Sequence, residues 1–220
     1  MSRISIFFYF MFVFIAQNSF AQKVINEAVL KYDVAMRSTS NPKQFENTSL
    51  NIFIKGKQSR SEVNSSVGNE ISIFDSNTGT GAIIKEYSGQ KLLILLNRDN
   101  WNARNNQFRL LTFTESGEMK KINSYQCIKT TASLPDGEKL TVYYSPDYLF
   151  SNNEYSYALP GIKGMPVEFE LTSGQINLTY KLKEFNFESS AVSNSLFELP
   201  KSGNYRTMSY EEATKLTKKN

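Results

Sequence analysis

From Ala28 to Met36 apolar and polar side chains alternate, with Ala28, Leu30, Tyr32, Val34 and Met36 on one side and Lys31, Asp33 and Arg37 on the other. A period of two over nine residues predicts a strand with one dry face. Leu50, Ile52 and Ile54 repeat the pattern. Ile71–Asp75, Ala82–Tyr87 and Lys91–Asn97 follow at short intervals, the last two joined through Ser88-Gly89-Gln90, a hairpin connector. Leu92 to Leu96 is apolar without a break, which predicts a strand covered on both faces. Two further hairpins are expected around Pro135-Asp136-Gly137 and Ser173-Gly174, where the turn chemistry is plain. In the last of these strands Ile176, Leu178, Tyr180 and Leu182 share a face, but Phe185 and Phe187 fall out of phase. A bulge near Lys183-Glu184 would return both rings to the core and bend the strand.

Helix signals are scarce. Ser209 with Glu212 three residues on forms a capping box ahead of Ala213 to Leu216, and a short turn is expected between Ser193 and Pro200. Residues 38 to 48 and the Asn- and Arg-rich stretch 97 to 107 read as loops, the second placing Trp101 toward the core. About ten strands with so little helix predict a mainly β fold, a curved antiparallel sheet with one or two short helices. Neither a repeat nor a Pro/Ser-rich linker divides the chain, so residues 22–220 are expected to form one β-rich domain.

The first 21 residues break this pattern. Arg3, a run from Ile4 to Ala16 that is apolar except for Ser5, and the small-residue exit Ser19-Phe20-Ala21 are the three regions of a cleavable secretory signal. The run is too short for a bilayer span, which needs about 17–25 residues, and no later stretch is long enough. Gln22 rather than cysteine would stand first, so no amino-terminal lipid is expected. The mature chain is expected in the periplasm or secreted.

Composition removes several functions. The net charge is +4, too small to imply nucleic acid, and no basic run is interleaved with aromatics. There is no histidine, which excludes Ser-His-Asp and Cys-His catalysis and His-ligated zinc. One cysteine, Cys127, cannot form an internal disulfide; in a strand it reads as a small buried hydrophobe, with a reactive thiol as the alternative. Ser40-Asn41-Pro42-Lys43, Ser151-Asn152-Asn153 and Lys201-Ser202-Gly203 occur in the order of the penicillin-recognising serine enzymes. That chemistry needs its first serine on a buried helix, and Pro42 stands in a loop. Asp75 to Glu86 has calcium-loop spacing but carries Thr80 where the sharp turn needs glycine. Glu168 and Glu170 share the outer face of a strand. No catalytic, metal or cofactor residues are assigned.

Asp147 to Pro166 concentrates Tyr148, Leu149, Phe150, Tyr155, Tyr157, Leu159, Ile162 and Met165 in a stretch that Pro160, Gly161, Gly164 and Pro166, with Pro146 just before it, keep irregular. A loop of this length either packs as a plug against the open side of the sheet or moves as a cover over an apolar cavity.

Ile122 to Lys129 (INSYQCIK), Thr141 to Asp147 (TVYYSPD), Ala158-Leu159-Pro160-Gly161-Ile162 and Leu196-Phe197-Glu198-Leu199-Pro200 resemble motifs of the exported GLPGLI-type proteins of Bacteroidota, related to the half-barrel fold of the LolA-type lipoprotein carriers. Here Lys163-Gly164-Met165-Pro166 intervenes before the next apolar strand. The resemblance covers somewhat under half of the mature chain. It implies a sheet wrapped around short helices, with a concave apolar face that holds acyl chains in the carriers, and it implies no catalytic residues. The leading expectation is a non-enzymatic binding protein for a lipid or acyl chain, with Trp101, Phe150, Leu159, Ile162 and Met165 lining the site. The rival is a cell-envelope interaction module with a filled core and a protein partner. Mass spectrometry of the exported protein should find Gln22 as its first residue; an intact Met1 terminus would refute the signal peptide.

Overall fold

The computed structural model describes residues 22–38, 44–156, 158–173, 175–188 and 190–217, so the signal peptide and Ser40-Asn41-Pro42-Lys43 lie outside the described residues. In chain order the strands are β1 (Lys23–Ile25), β2 (Glu27–Ser38), β3 (Gln44–Lys55), β4 (Gln58–Ser65), β5 (Gly68–Asp75), β6 (Thr80–Tyr87), β7 (Gln90–Leu96), β8 (Thr112–Ile122), β9 (Tyr125–Ser133), β10 (Lys139–Ser145), β11 (Tyr148–Phe150), β12 (Met165–Ser173), β13 (Ile176–Asn186) and β14 (Arg206–Ser209). Two α-helices accompany them, α1 (Arg98–Arg104) and α2 (Tyr210–Thr217), with short 3-10 turns that include Asn194–Phe197.

Twelve strands form one sheet in the order β14-β7-β6-β5-β4-β3-β2-β13-β12-β10-β9-β8. Its ends do not meet, so the sheet is a half-barrel. Every neighbouring pair in it is antiparallel except β14, which runs parallel to β7. A separate parallel ribbon joins β1 to β11. Register breaks bend the sheet: between Leu182 and Glu184 in β13, between Val34 and Met36 in β2, and between Tyr143 and Tyr144 in β10. The first lies where the phase of the apolar residues demanded a bulge, and it turns Phe185 and Phe187 onto the core cluster.

Cross-strand partners share a face, so the pairing traces the concave surface row by row. One row runs Ile52, Ser61, Ser72, Ile83, Ile94, Met208, and the next runs Leu50, Val63, Glu70, Lys85, Leu92, Arg206. The first is apolar at its ends and polar in the middle, on β4 and β5; the second is apolar at Leu50 and Val63, then charged at Glu70 and Lys85 and again at Arg206. The concave face is thereby divided into two apolar halves.

The larger half, on β2, β3, β13, β12, β10 and β9, is filled by the chain itself. Ile25 and Phe150 of the ribbon, with Tyr155, Ala158 and Leu159 of the segment that follows, join its buried cluster. Phe150 lies 4.4 Å from the Tyr155 ring, Phe169 stacks on Tyr180 at 4.4 Å, and the buried Tyr32 hydroxyl donates to the Pro166 carbonyl at 2.9 Å. Gly164 lets the chain enter β12 close against β10, because a Cβ there would lie 2.3 Å from the Ser145 carbonyl oxygen. A cavity of about 10 Å³ remains between Leu50, Ile52, Tyr155, Ala158, Phe169 and Tyr180, room for one water at most. Of the two arrangements open to Asp147–Pro166, the chain adopts the plug.

On the convex face Val29, Ile73, Ala82, Ile84 and Leu93 are covered by Val192 and Phe197, the latter on the 3-10 turn expected after Ser193. With Leu92, Ile94 and Leu96 packed on the other side, β7 is covered on both faces as its unbroken apolar run predicted, apart from the exposed Leu95. Two expected loops are corrected. Residues 98–104 form α1, because Asn97 and Asn100 cap each other: the Asn97 side chain accepts from the Asn100 N–H at 2.8 Å, and Asn100 accepts from the Asn97 N–H at 3.2 Å. Within 38–48, β2 runs through Ser38, which pairs with Ile176 of β13, and β3 begins at Gln44, which pairs with Arg37 of β2.

Leu159 is almost wholly buried at the centre of the plug. Leu159→Ala should lower the unfolding free energy by about 2–5 kcal/mol in urea titrations followed by circular dichroism. A loss under about 0.5 kcal/mol, the size of an ordinary surface change, would show that the segment is a loose cover.

Candidate functional site

The residues expected to line a ligand site divide between the two halves. Phe150, Leu159 and Met165 are buried in the larger cluster, with Ile162 packed against it. Trp101 belongs to the smaller cluster, stacked on Phe74 at 4.1 Å and nearly parallel to it. Gly81 leaves room for that ring, since a Cβ there would meet the Ile73 carbonyl oxygen at 2.2 Å and the Phe74 ring at 3.0 Å. Among the described residues the four of the larger half are packed in or against its buried cluster, and an open apolar groove lies in the smaller half.

That half is built on β6, β7 and β14 and roofed by α2. The capping box expected at Ser209 and Glu212 is present: the Glu212 N–H donates to Ser209 Oγ at 3.2 Å, and the Ser209 N–H donates to Glu212 Oε2 at 2.8 Å. It starts α2 directly after β14, and the 3.6-residue period then turns Tyr210, Ala213 and Leu216 back toward the sheet. Between helix and sheet a groove of about 340 Å³ stays open, its apolar walls made by Ile83, Leu92, Ile94, Met208 and Leu216.

One end of the groove is charged. Lys85 and Arg104 both line it, and both hold Glu70: Arg104 donates to one carboxylate oxygen at 2.6 Å and Lys85 approaches the other at 2.9 Å. A second Arg104 nitrogen donates to the buried Ser72 hydroxyl at 2.8 Å. Burial, and after it this carboxylate, pushes the nearby Tyr87 phenol above its ordinary pKa. Past Met208 and Leu216 a second cleft of about 280 Å³ carries Arg206, Lys215 and Glu212. A third cleft, about 220 Å³ and more polar, lies beside Trp101 between Asn102, Asn105, Arg109 and Glu154.

The other sequence candidates have structural roles. Asp75 accepts from the backbone N–H groups of Asn77 and Thr78 at 2.8 and 3.2 Å, closing the turn between β5 and β6. Asn152 accepts from the Glu154 N–H in the same manner. Cys127 is fully buried, and that burial pushes its thiol up to about 11, well above the range in which thiolate chemistry operates at neutral pH. Ile83, Leu92, Ile94 and Met208 escaped prediction because apolar strand residues all look alike in sequence. The detectable signal was the amphipathic α2, whose apolar face needed a partner.

No family model and no curated protein matches the chain. Among solved structures it is similar to PNGF-II, with 10% identity and a TM-score of 0.48, over 84% of this chain and 32% of that one. LprF from Mycobacterium bovis aligns with 12% identity and a TM-score of 0.33 over 76% of this chain and 87% of that one. MucB aligns with 8% identity and a TM-score of 0.34 over 80% of this chain and 57% of that one. The chain thus spans about a third of PNGF-II and somewhat more than half of MucB. No helix among the described residues is long and apolar enough to cross a membrane.

Proposed function

We propose that this chain is an exported, non-enzymatic binding protein that takes an apolar, lipid-like ligand on the concave face of its sheet, akin to the GLPGLI-type half-barrels its motifs resemble. The observation that carries this reading is the groove of about 340 Å³ under α2. It falls within the range of small-ligand pockets, about 300–1,000 Å³, and aliphatic side chains from three strands and a helix form its walls. This reading places the site in the smaller half and not at the residues expected in the larger one, where the described residues leave a cavity of about 10 Å³. Burying about 200 Å² of hydrocarbon there would contribute about 5 kcal/mol before the cost of immobilising the ligand.

A protein partner is the second reading. It is supported by the close packing of the larger half and by β8, whose outer edge ends the sheet and carries the exposed Met119. The bulge between Glu115 and Met119 and the charged pair Lys120-Lys121 blunt that edge against strand addition, which ranks this reading below the groove.

Leu216 is half exposed on α2, so Leu216→Asp should leave the fold intact. In titrations with a fluorescent apolar probe the native protein should saturate at one site, and Leu216→Asp should weaken binding at least about tenfold, the order expected for a charge set against hydrocarbon. Failure of the native protein to bind any apolar probe would overturn the lipid reading and favour the protein partner.

A further inference from the structure

Resting on that reading, we propose that the groove's ligand is a single-chain amphiphile with an anionic head, a long-chain fatty acid, whose tail lies along Ile83, Ile94 and Met208 and whose carboxylate sits at the Lys85–Arg104 end.

The row order places the charge at one end. Ile83, Ile94 and Met208 make an apolar row across the groove floor, and the neighbouring row is Glu70, Lys85, Leu92, Arg206. The first row continues from Ile83 onto Ser72, which Arg104 bonds, so a tail on Ile83, Ile94 and Met208 brings its head to the Arg104 end, with Lys85 and Glu70 in the row alongside. Lys85 and Arg104 face the groove, while Arg206 and Lys215 stand in the adjoining cleft past Met208. Against these four cations, the described residues of the two clefts and the charges that act on them supply three carboxylates, Glu70, Glu212 and Glu211, the last accepting from the Asn100 side chain. Each is engaged: Glu70 is shared by Arg104 and Lys85, and Glu212 caps the Ser209 N–H. The site thus holds more positive than negative charge beside a hydrocarbon surface, which complements an anionic head and opposes a cationic one.

Glu70 sets the geometry. By pairing with both cations it holds the guanidinium and ammonium groups at the groove's rim, whereas long side chains left unpaired would extend into water. A carboxylate arriving there meets donors already in place, and hydrogen bonds to charged groups are the stronger kind. The volume selects one chain, since about 340 Å³ lies near the lower limit for ligand pockets.

The test is displacement of the bound fluorescent probe by three ligands with the same 16-carbon chain: palmitate, its methyl ester and hexadecylamine. Palmitate should displace the probe at a concentration about tenfold or more below that of the ester, with the amine weakest. The advantage of the acid should shrink as salt screens the rim charges. Lys85→Gln should remove most of the advantage of palmitate and leave the ester unchanged, an outcome that a merely unfolded variant could not give. Equal displacement by acid and ester would overturn the anionic head while leaving an apolar site standing. Displacement by none of the three, with the probe itself unbound, would overturn the apolar reading as well.

Discussion

An open sheet of twelve strands has one concave apolar face and no second sheet to close against it, so this chain must cover that face with its own connections. The constraint is severe because exposed hydrocarbon on this scale drives association. The β1–β11 ribbon and the irregular segment after it meet the need over β2, β3 and β9 to β13. There Phe150, Tyr155, Ala158 and Leu159 supply the apolar area that a facing sheet would provide in a sandwich. Over β5 to β7 and β14 the cover is thinner: one short helix lays Trp101 on Phe74, and another leans Tyr210 and Ala213 on the strands. Among the described residues, the groove under α2 is a part of the face left uncovered.

The boundary between the halves is chemical. Ser59, Ser61, Ser72 and Glu70 occupy concave positions on β4 and β5 where hydrocarbon would have joined the two clusters. Arg104 reaches back from α1 to bond Ser72 and Glu70, satisfying polar groups that would otherwise be costly in a half-buried site. One arrangement thus separates the filled half from the open one, ties α1 to the sheet and gives the groove its charged end.

Much of this fold was legible in the alternation of side chains. Period-two runs located β2 and the second half of β3, an unbroken apolar run located β7, the turn at Pro135-Asp136-Gly137 located β9 and β10, the phase slip at Phe185 located the β13 bulge, and Ser209 with Glu212 located α2. The strand β4 was missed because Gln58, Ser59, Ser61, Glu62 and Asn64 carry no apolar signal; it is a strand because both its edges are paired. The helix α1 was missed because Asn and Arg read as loop, although the reciprocal Asn97–Asn100 cap was written in the sequence. The apolar weight of Asp147–Pro166 was recognised correctly, but a sequence does not show whether such a segment fills a cavity or lines one. That depends on how far the sheet curls, which long-range pairing decides. Four of the five residues expected as lining are packed in or against the larger cluster, and Trp101 alone belongs to the smaller one.

The most direct measurement is methyl NMR of the Ile-, Leu-, Val- and Met-labelled protein titrated with palmitate. A divided concave face predicts shift changes at Ile83, Ile94, Met208 and Leu216, with Leu159, Val167 and Leu171 unmoved. Changes centred on Leu159, Ile162 and Met165 would contradict it and show that the plug yields to the ligand.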